Sequence, residues 1–484
     1  PRYPETFWSF KPVLKFISKK AAFPPLGLLT VASQLPKEWN KKLIDVNVDE
    51  LKDKHIAWAD MVFIGAMIVQ KESAQKIIDR CKAQNKKVVC GGPVFTTQHE
   101  KFENVDHFIL NEAEITLPRF LKDLEEGKPE KVYTSLERPD VTNTPLPDWS
   151  LIKFKNYAVM PIQYSRGCPF NCEFCDIIIM NGRTPRTKTP EQLVGEFQAL
   201  YDAGWRGTVF IVDDNFIGNI GTVKKMLVHL IDWQKRHKYP FSLITEASTN
   251  LAKHTQLMEM MSAANFYNVF LGIETPNEDS LVECNKVQNT QVDLQDSIKI
   301  IQQHGMQVMG GFIVGFDSDN ESIFDKQINF IQNTGVVTAM VTLLMALPQT
   351  QLWHRLKQEG RIISDANGHI NGTLNFVTKM DKEKLIKGYN RILSTIYAPK
   401  QYYERINTLI KEYNPTAKMR IQLKDFKAIF RSIWKIGIFS NARFHYWKLM
   451  VKTLLTKRKS LHVAIGMAIY GLHFQKMARK VTAI

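Results

Sequence analysis

Three closely spaced cysteines are the residues of this chain best suited to chemistry. Cys168, Cys172 and Cys175 follow a Cys-x3-Cys-x2-Cys pattern within residues 163–176. Three thiolates this close cannot all form disulfides, and alone they cannot complete a four-thiolate zinc site. They can ligate three irons of a four-iron cluster and leave the fourth iron open to an outside ligand. The spacing therefore predicts a [4Fe-4S] cluster, and the alternative is a loop of buried or zinc-binding cysteines.

The other cysteines indicate the compartment. Cys81, Cys90 and Cys284 are scattered along the sequence, so they form neither a disulfide framework nor a second cluster motif. Such usage is typical of a reducing cytosol, and we expect a cytoplasmic protein without a secretory signal or an apolar run of transmembrane length. A free cysteine is usually a small buried hydrophobe, which we favour for Cys284 over a redox or hydrogen-donor role.

Alternating strands and helices in residues 1–140 must position the first set of candidate residues. The apolar runs 62–66, 87–90 and 106–110 alternate with amphipathic helical segments, which predicts a doubly wound parallel sheet. Ligands of such sheets lie at the carboxyl ends of the strands, and a double glycine lets a backbone approach a ligand closely. The residues at these ends are Asn47, Ala66, Met67, Gly91, Gly92, Asn111 and Glu112.

Residues 141–360 repeat the strand-helix unit six times, after a proline-marked linker at 136–148. Six units predict a partial (β/α)6 barrel, whose strand ends converge on one mouth. An acid at a strand end is most often a helix N-cap, but several in order behind a cysteine triad indicate a ligand site. The candidates are Asp213, Asp214, Glu246, Glu274, Gly311, Ile313 and Gly315. Arg166 could orient the cysteine loop or its ligand, and Arg183 and Arg186 are either carboxylate or phosphate partners or ordinary surface arginines.

The charge of +16 is concentrated in the last part of the chain, where residues 361–484 are predicted to be mostly helical. Residues 415–484 carry 15 Lys and Arg against one acid, a net of +14, and leave about +2 for residues 1–414. Aromatic and aliphatic residues interleave with these charges, which predicts amphipathic helices with a basic face. An anionic membrane surface would attract such a face, and so would nucleic acid. We favour the membrane because the apolar residues are too many for a simple phosphate-binding tail; a solvated helical cap is the third alternative.

The cysteine loop, with Phe174 directly before Cys175, resembles the radical S-adenosylmethionine (SAM) superfamily. The resemblance implies that the amino and carboxylate groups of SAM chelate the open iron, and that one-electron reduction yields a 5'-deoxyadenosyl radical. A donor such as flavodoxin or ferredoxin would supply the electron. The resemblance also implies SAM contacts from the strand ends, although the glutamate that follows the glycine pair in the family is missing here. The SAM-binding candidates are Arg166, Asp213, Asp214, Glu246, Glu274, Gly311, Ile313 and Gly315.

The domain that precedes the cysteine loop resembles the cobalamin-binding domain of B12-dependent radical SAM enzymes. Residues 45–50 have Asn47 where the better-known Asp-x-His-x-x-Gly signature has a cobalt-binding histidine. We therefore predict cobalamin bound without a histidine ligand; the alternative is a domain that has lost the cofactor. The predicted cobalamin contacts are Asn47, Ala66, Met67, Gly91, Gly92, Asn111 and Glu112.

Several further stretches are similar to one subfamily, which includes the hopanoid C-2 methylases and carries a helical C-terminal extension. They are residues 4–11, 24–30, 67–70, 111–118 and 212–219. This resemblance implies that methylcobalamin donates a methyl group to a carbon radical of an apolar substrate (hopanoid, lipid or tetrapyrrole-like). Together with the basic tail, it favours an enzyme that is peripheral on the inner face of the membrane. The alternatives are a non-methylating radical SAM enzyme of the coupling or rearrangement type, and an iron-sulfur protein that binds RNA.

Overall fold

The computed structural model describes residues 1–7, 9–366, 373–418 and 423–482. Of the basic segment 415–484, residues 419–422 and 483–484 lie outside the described residues. The described chain has a parallel sheet at the N-terminus, a second parallel sheet of six strands, and a set of C-terminal helices. The predicted α/β fold class is therefore confirmed. Among the described residues, no helix combines the length and the apolar character needed to cross a bilayer.

The N-terminal region alternates strands and helices, as the sequence predicts. Its elements are α1 (Lys11–Phe16), α2 (Leu26–Gln34), α3 (Asp53–Trp58), β1 (Met61–Gly65), α4 (Lys71–Lys82), β2 (Lys87–Gly91), α5 (Pro93–Gln98), β3 (His107–Ile109), α6 (Ala113–Glu125) and β4 (Val132–Tyr133).

Both faces of the first sheet are covered, which is why its strands are apolar almost throughout. The four parallel strands are hydrogen-bonded in the order β1-β2-β3-β4. One face packs Val88 and Cys90 against Ile78 of α4, and the other packs Val89 against Phe120 of α6. The carboxyl ends of β1, β2 and β3 meet at one edge, because Gly65 is paired with Gly91 and Gly91 with Ile109.

The second region contains the cysteine loop. Its elements are β5 (Val159–Ile162), β6 (Ser165–Arg166), α7 (Ile177–Asn181), β7 (Arg186–Thr187), α8 (Pro190–Asp202), β8 (Thr208–Ile211), α9 (Ile220–Arg236), β9 (Ser242–Ala247), α10 (Thr255–Ala263), β10 (Phe266–Glu274), α11 (Glu278–Glu283), α12 (Val287–Thr290), α13 (Leu294–Gln303), β11 (Gln307–Val314), α14 (Ile323–Thr334), β12 (Thr338–Leu343) and α15 (Gln351–Gln358).

Six of these strands form one parallel sheet in the order β5-β8-β9-β10-β11-β12, and the predicted partial barrel is therefore confirmed. All its strands run in one direction, so their carboxyl ends share one edge. The short antiparallel ribbon of β6 and β7 was not predicted from the sequence. It pairs Arg166 with Arg186 and closes the base of the cysteine loop between them.

The C-terminal helices extend the outer layer of the barrel beyond β12. They are α16 (Lys382–Ile396), α17 (Pro399–Glu412), α18 (Leu423–Ser432), a π-helix (Ile433–Ile438), α19 (Arg443–Thr456) and α20 (Leu461–Thr482). Tyr389, Ile406, Leu449 and Phe474 of these helices belong to the same apolar core as the barrel strands. The inner faces of the basic helices are therefore structural, as the helical-cap alternative predicts for them.

Candidate active site at the cysteine loop and the cavity beside it

The cysteine loop leaves the barrel through β6 and returns through β7. Gly167 begins the loop with φ +100°, and a Cβ at this position would lie 2.8 Å from the carbonyl oxygen of Thr184. Only glycine fits such a backbone. Cys172 is buried, whereas Cys168 and Cys175 are half-buried. The three thiols thus lie on one loop and are all at least partly shielded from solvent.

Side chains from distant elements surround these sulfurs. The Asn215 amide nitrogen lies 3.9 Å from Cys168 Sγ, and the Gln288 amide nitrogen lies 3.6 Å from Cys172 Sγ. Burial raises the pKa of the Cys168 thiol, and the charge of Lys286 acts in the opposite direction. Asn215, Lys286 and Gln288 were not among the site residues predicted from the sequence. Asn215 was within reach, because it ends the Val-Asp-Asp-Asn run of residues 212–215, but nothing local to the other two distinguishes them.

Asp213 and Asp214 hold the cysteine loop in place. Asp213 accepts hydrogen bonds from the Tyr164 amide at 2.8 Å and from the Ser165 hydroxyl at 2.6 Å. Its burial raises its pKa to about 7. Asp214 accepts a hydrogen bond at 2.9 Å from the amide of Gly167. Both were predicted as SAM contacts, which stays a prediction; in the structure their oxygens accept hydrogen bonds from the segment that carries the cysteines.

An arginine–glutamate cluster joins the N-terminal domain to the same loop; its members are Glu112, Glu114, Arg138, Arg166 and Arg186. Arg166 donates at 2.7 Å to Glu112 and at 2.7 Å to Glu114, and Arg186 donates at 2.8 Å to Glu112. Burial alone would raise the pKa of Glu114, but the hydrogen bonds and charge of Arg166 lower it. Of the two roles predicted for Arg166, the geometry favours the orientation of the loop.

The arginine–glutamate cluster also shows the partners of two other predicted residues, Glu112 and Arg186. Glu112, predicted as a cobalamin contact, turns its carboxylate to arginines. Arg186 is one of them, so it is a carboxylate partner. Arg183 is exposed, as an ordinary surface arginine is.

A cavity of 2110 Å³ lies between the N-terminal sheet and the inside of the barrel. Ligand pockets commonly enclose about 300–1,000 Å³, so this cavity has room for more than one molecule. All seven predicted cobalamin contacts line it, namely Asn47, Ala66, Met67, Gly91, Gly92, Asn111 and Glu112. Its barrel end is lined mainly by inward-facing side chains of the strands, such as Phe210, Ile244, Phe270 and Met309.

Of the predicted SAM contacts, only Arg166 and Glu246 line this cavity. Glu246 lies on β9 near its carboxyl end. Burial, followed by the charges of Asp214 and Asp213, raises its pKa to about 8. Within the described part of the chain, its carboxylate has no hydrogen-bond partner. Glu246 is therefore largely a neutral acid at pH 7, and it is the least restrained of the acids at the strand ends.

The remaining predicted SAM contacts lie on β10 and β11 or, for Gly315, directly after β11. Glu274 has φ +64° and pairs with Lys286 at 2.5 Å. Gly311 is paired with Gly272 of β10, and Ile313 packs into an apolar cluster with Cys284. Gly315 has φ +104°, and its amide donates to Asp319 at 2.8 Å. Cys284 is 2% exposed, which confirms the expected buried position.

Comparisons with known proteins give this arrangement a family. Three family models match consecutive parts of the chain: "B12 binding domain" at residues 17–121, "Radical SAM superfamily" at 162–331, and "Domain of unknown function (DUF4070)" at 350–484. An uncharacterized methyltransferase of Synechocystis sp. is 43% identical over 92% of this chain and 85% of its own length. Hopanoid C-2 methylase of Rhodopseudomonas palustris is 33% identical over 94% of this chain and 88% of its own. The chain belongs to the cobalamin-dependent radical SAM methyltransferases.

Solved structures share the fold of this methyltransferase. The cobalamin-dependent radical SAM enzyme OxsB with aqua-cobalamin bound has a TM-score of 0.64 at 16% identity, covering 95% of this chain and 78% of its own. TsrM of Kitasatospora setae, with cobalamin and a [4Fe-4S] cluster bound, has a TM-score of 0.58 at 13% identity, covering 88% and 95%. The two matched family models give SAM and cobalamin as cofactors of this chain, and the TsrM structure holds a [4Fe-4S] cluster beside its cobalamin.

The chemistry of the residues around the cysteine loop suits an iron-sulfur cluster. Three cysteines of one loop can each ligate a different iron of a four-iron cluster. Within the described ranges, no three His, Cys, Asp or Glu side chains form a site for a single metal ion. Amide donors near Cys168 and Cys172 also suit cluster sulfurs, whose hydrogen bonds tune the reduction potential.

The N-terminal end of the cavity fits a large planar cofactor held by backbone. A Cβ at Gly91 would lie 2.8 Å from the carbonyl oxygen of Ile109, and Gly92 has φ +95°, so side chains are excluded from this edge. Asn47 accepts a hydrogen bond from the Tyr3 amide at 2.6 Å and donates to Asp45 at 2.8 Å. Its amide is thus fixed within the protein.

Proposed function

We propose that this enzyme methylates an unactivated carbon of an apolar polycyclic substrate, with a hopanoid as the first candidate. The observation that carries the proposal is one continuous cavity, which extends from the carboxyl ends of β1, β2 and β3 into the barrel. A substrate in that cavity would have the predicted cobalamin contacts on one side. On the other side it would have the barrel strands with Arg166 and Glu246, the two predicted SAM contacts that line the cavity. When bound, the cluster and SAM supply a 5'-deoxyadenosyl radical, and cobalamin supplies the methyl group.

The protein's part in this reaction is to hold and orient. We propose that Cys168, Cys172 and Cys175 are the cluster ligands, and that Asp213 and Asp214 fix their loop through its amides and hydroxyl. The arginine–glutamate cluster sets the loop at a constant distance from the N-terminal domain. Such positioning matters because small displacements of reacting groups reduce rates steeply.

We also propose that cobalamin binds without a histidine on cobalt. Asn47 occupies the position of that histidine, and its amide has partners within the chain. Paramagnetic resonance of the cob(II)alamin form should show no splitting from a histidine nitrogen; such splitting would contradict the proposal. Replacing Gly92 with alanine should reduce cobalamin retention, because the residue would be strained at positive φ and would narrow the cradle.

The substrate class rests on the lining of the cavity and on the relatives. Aromatic and aliphatic side chains dominate the barrel end, and such a surface favours a large apolar molecule. The relative with 33% identity acts on hopanoids, and two bacteriochlorophyllide d methyltransferases of Chlorobaculum tepidum are 24% identical to this chain. A hopanoid is therefore the first substrate to test, and a tetrapyrrole is the second.

The decisive experiment reconstitutes the full chain anaerobically with iron, sulfide and cobalamin. An ultraviolet-visible spectrum and a cobalamin assay would first establish loading. Incubation with a hopanoid, a reducing system such as flavodoxin, and SAM carrying a deuterated methyl group should then yield 5'-deoxyadenosine, S-adenosylhomocysteine and a labelled product. Formation of 5'-deoxyadenosine with a modified but unmethylated product would instead indicate the coupling or rearrangement type. Tight RNA binding without SAM cleavage would overturn the enzymatic proposal. We place the reaction in the cytoplasm, because the cluster needs reducing conditions.

A further inference from the structure

The outward sides of α18, the π-helix and α19 form one apolar surface, which we call the basic aromatic face. Isolated exposed apolar side chains are ordinary, but a contiguous set of large ones marks an interaction site. Phe444 is 73% exposed and Leu455 is 79% exposed. The exposed apolar members are Phe426, Phe430, Trp434, Ile438, Phe439, Phe444, Trp447, Val451, Leu454 and Leu455.

Cations without acidic partners are mixed into this face. Residues 426–484 contain no Asp or Glu. The exposed basic members are Lys427, Lys435, Arg443, Lys448, Lys452, Arg458 and Lys459. Among the described residues, none of them forms an ion pair, whereas Lys476 on the neighbouring helix α20 pairs with Glu5 at 2.7 Å. The face thus combines unneutralised positive charge with exposed apolar area.

The face is a second apolar surface on helices whose other sides are already packed. Ile436, Tyr446 and Leu449 are each 1% exposed. The Trp447 indole donates to the Gly437 carbonyl at 3.0 Å, which joins α19 to the π-helix. The exposure of the outward residues is therefore not a result of poor packing, because the same helices bury their inner sides. The helices that carry the outward residues are held together by these contacts.

The basic aromatic face also lies close to the cavity. Arg431 of α18 donates to the Phe16 carbonyl of α1 at 2.7 Å, and the two helices pack together. On its other side α1 lines the cavity through Val13 and Leu14, and Ile17 directly after it does the same. In the described part of the chain, α18 and α1 thus lie between this side of the outer apolar face and the inner apolar cavity.

We propose that the basic aromatic face docks the enzyme on an anionic lipid membrane, and that the apolar substrate passes from the bilayer to the cavity beside α1. Basic residues are attracted to anionic headgroups, and Trp and Phe partition into the interface. RNA would use the cations but would leave the many aliphatic residues of α19 exposed, so we favour lipid. The substrate passage rests on the proposed function; the docking does not.

Co-sedimentation of the full chain with vesicles tests the docking without cofactor or substrate. The vesicles are phosphatidylcholine alone, or phosphatidylcholine with phosphatidylglycerol. We expect at least ten-fold tighter binding to the anionic vesicles, weakened by salt but not abolished, because inserted aromatic side chains do not depend on ionic strength. Equal binding to both vesicle types, or binding to neither, would overturn the proposal.

Matched variants identify the surface. Combining Lys427→Gln, Lys448→Gln and Lys452→Gln should weaken anionic-vesicle binding at least ten-fold. The control combines Lys87→Gln, Lys225→Gln and Lys253→Gln, exposed lysines elsewhere on the protein, and should change binding less than two-fold. Combining Phe439→Ser, Phe444→Ser and Leu455→Ser should remove the salt-resistant part. Equal loss in the control set, or a competing single-stranded RNA that binds more tightly than the vesicles, would overturn the proposal.

The two proposals fail in different ways. If the full chain methylates a detergent-solubilised hopanoid but does not bind vesicles, only the docking is wrong. If it binds anionic vesicles through this face but methylates neither hopanoid nor tetrapyrrole, the docking stands and the proposed substrate class is wrong. The substrate passage predicts that the lysine variants lose activity toward vesicle-embedded hopanoid and keep it toward the solubilised form; equal loss with both forms would refute the passage.

Discussion

The cysteine loop and the basic aromatic face differ in whether their positively charged side chains have carboxylate partners. Around the loop, Arg166, Arg186 and Lys286 each have a carboxylate within 2.8 Å. On the face, the described cations have none. A buried charge without a partner is strongly destabilising, so the charges at the loop are paired and thereby fix geometry. Exposed cations bear no such cost, and those left unpaired remain available to an external anion. The paired charges hold the cysteine loop in position, whereas the unpaired charges can bind an external partner.

The largest expected effect comes from the loop itself. Cys172→Ala should abolish both the iron content of the cluster and the cleavage of SAM to 5'-deoxyadenosine, because two thiolates cannot hold the cluster with an open iron. Iron analysis and chromatography of the reaction products measure both. Cys81→Ala, in the N-terminal core, is the control and should retain iron. Full iron loading and SAM cleavage in the Cys172 variant would show that this loop is not the cluster site.

Substitutions to alanine compare a paired cation at the loop with an unpaired cation on the face. Arg166→Ala leaves Glu114 buried without its arginine, and we expect a loss of about 3 kcal/mol in the free energy of unfolding. Lys448→Ala on the basic aromatic face should change it by less than about 0.5 kcal/mol. Urea unfolding of the cofactor-free proteins measures both. Similar losses in the free energy of unfolding of the two variants would show that the paired and the unpaired charges do not differ in their contribution to stability.

Arg166→Lys sharpens the same comparison. A lysine keeps the charge but not the planar fork that reaches both glutamates, so it should recover only part of the lost stability. Full recovery would mean that charge alone holds the loop, rather than the two-pronged geometry.

Glu246 is a buried acid whose carboxylate has no hydrogen-bond partner among the described residues. Its substitution is expected to have the smallest effect of the variants considered. Its pKa of about 8 in the folded protein exceeds its ordinary value of 4.5. The folded state therefore binds more protons than the unfolded state between these two pH values, and stability should fall as pH rises through that window. Glu246→Gln should reduce the decrease in melting temperature between pH 5 and pH 8 by a few degrees. Exposed Glu125→Gln is the control, and an unchanged pH dependence in the Glu246 variant would contradict the raised pKa.

The sequence predicts the framework of this enzyme well. Apolar runs bounded by turn residues locate the six barrel strands, and parallel strand-helix units leave little freedom in their order. The same rule predicts the cobalamin end of the cavity, because strand ends of one sheet meet at one edge. Ala66, Gly91 and Asn111 line the cavity for this reason. Asn47 also lines the cavity, but the prediction that it ends a strand is wrong, because it lies in a turn that precedes the first strand.

Side-chain direction and long-range partners are the parts that the sequence does not contain locally. An acid at a strand end is equally compatible with a ligand contact or with a loop anchor, and Asp213 and Asp214 are anchors because the β6–β7 ribbon folds the loop back onto them. Lys286 and Gln288 approach the cysteines from a different strand-helix connection. The basic helices show their amphipathic pattern in the sequence, but not that their inner sides complete the core of the barrel.

Two helices that are far apart in the sequence meet beside the cavity, and this has a consequence for folding. His473 of α20 is hydrogen-bonded to the carbonyl oxygen of Phe7, just before α1, at 2.8 Å across a separation of 466 residues. Both sheets precede α20 in the sequence, and closing so long a loop is among the slowest steps of folding. We therefore expect α1 to take its final place late, after the two sheets have formed. A bulky corrinoid could then enter before the wall beside it is completed.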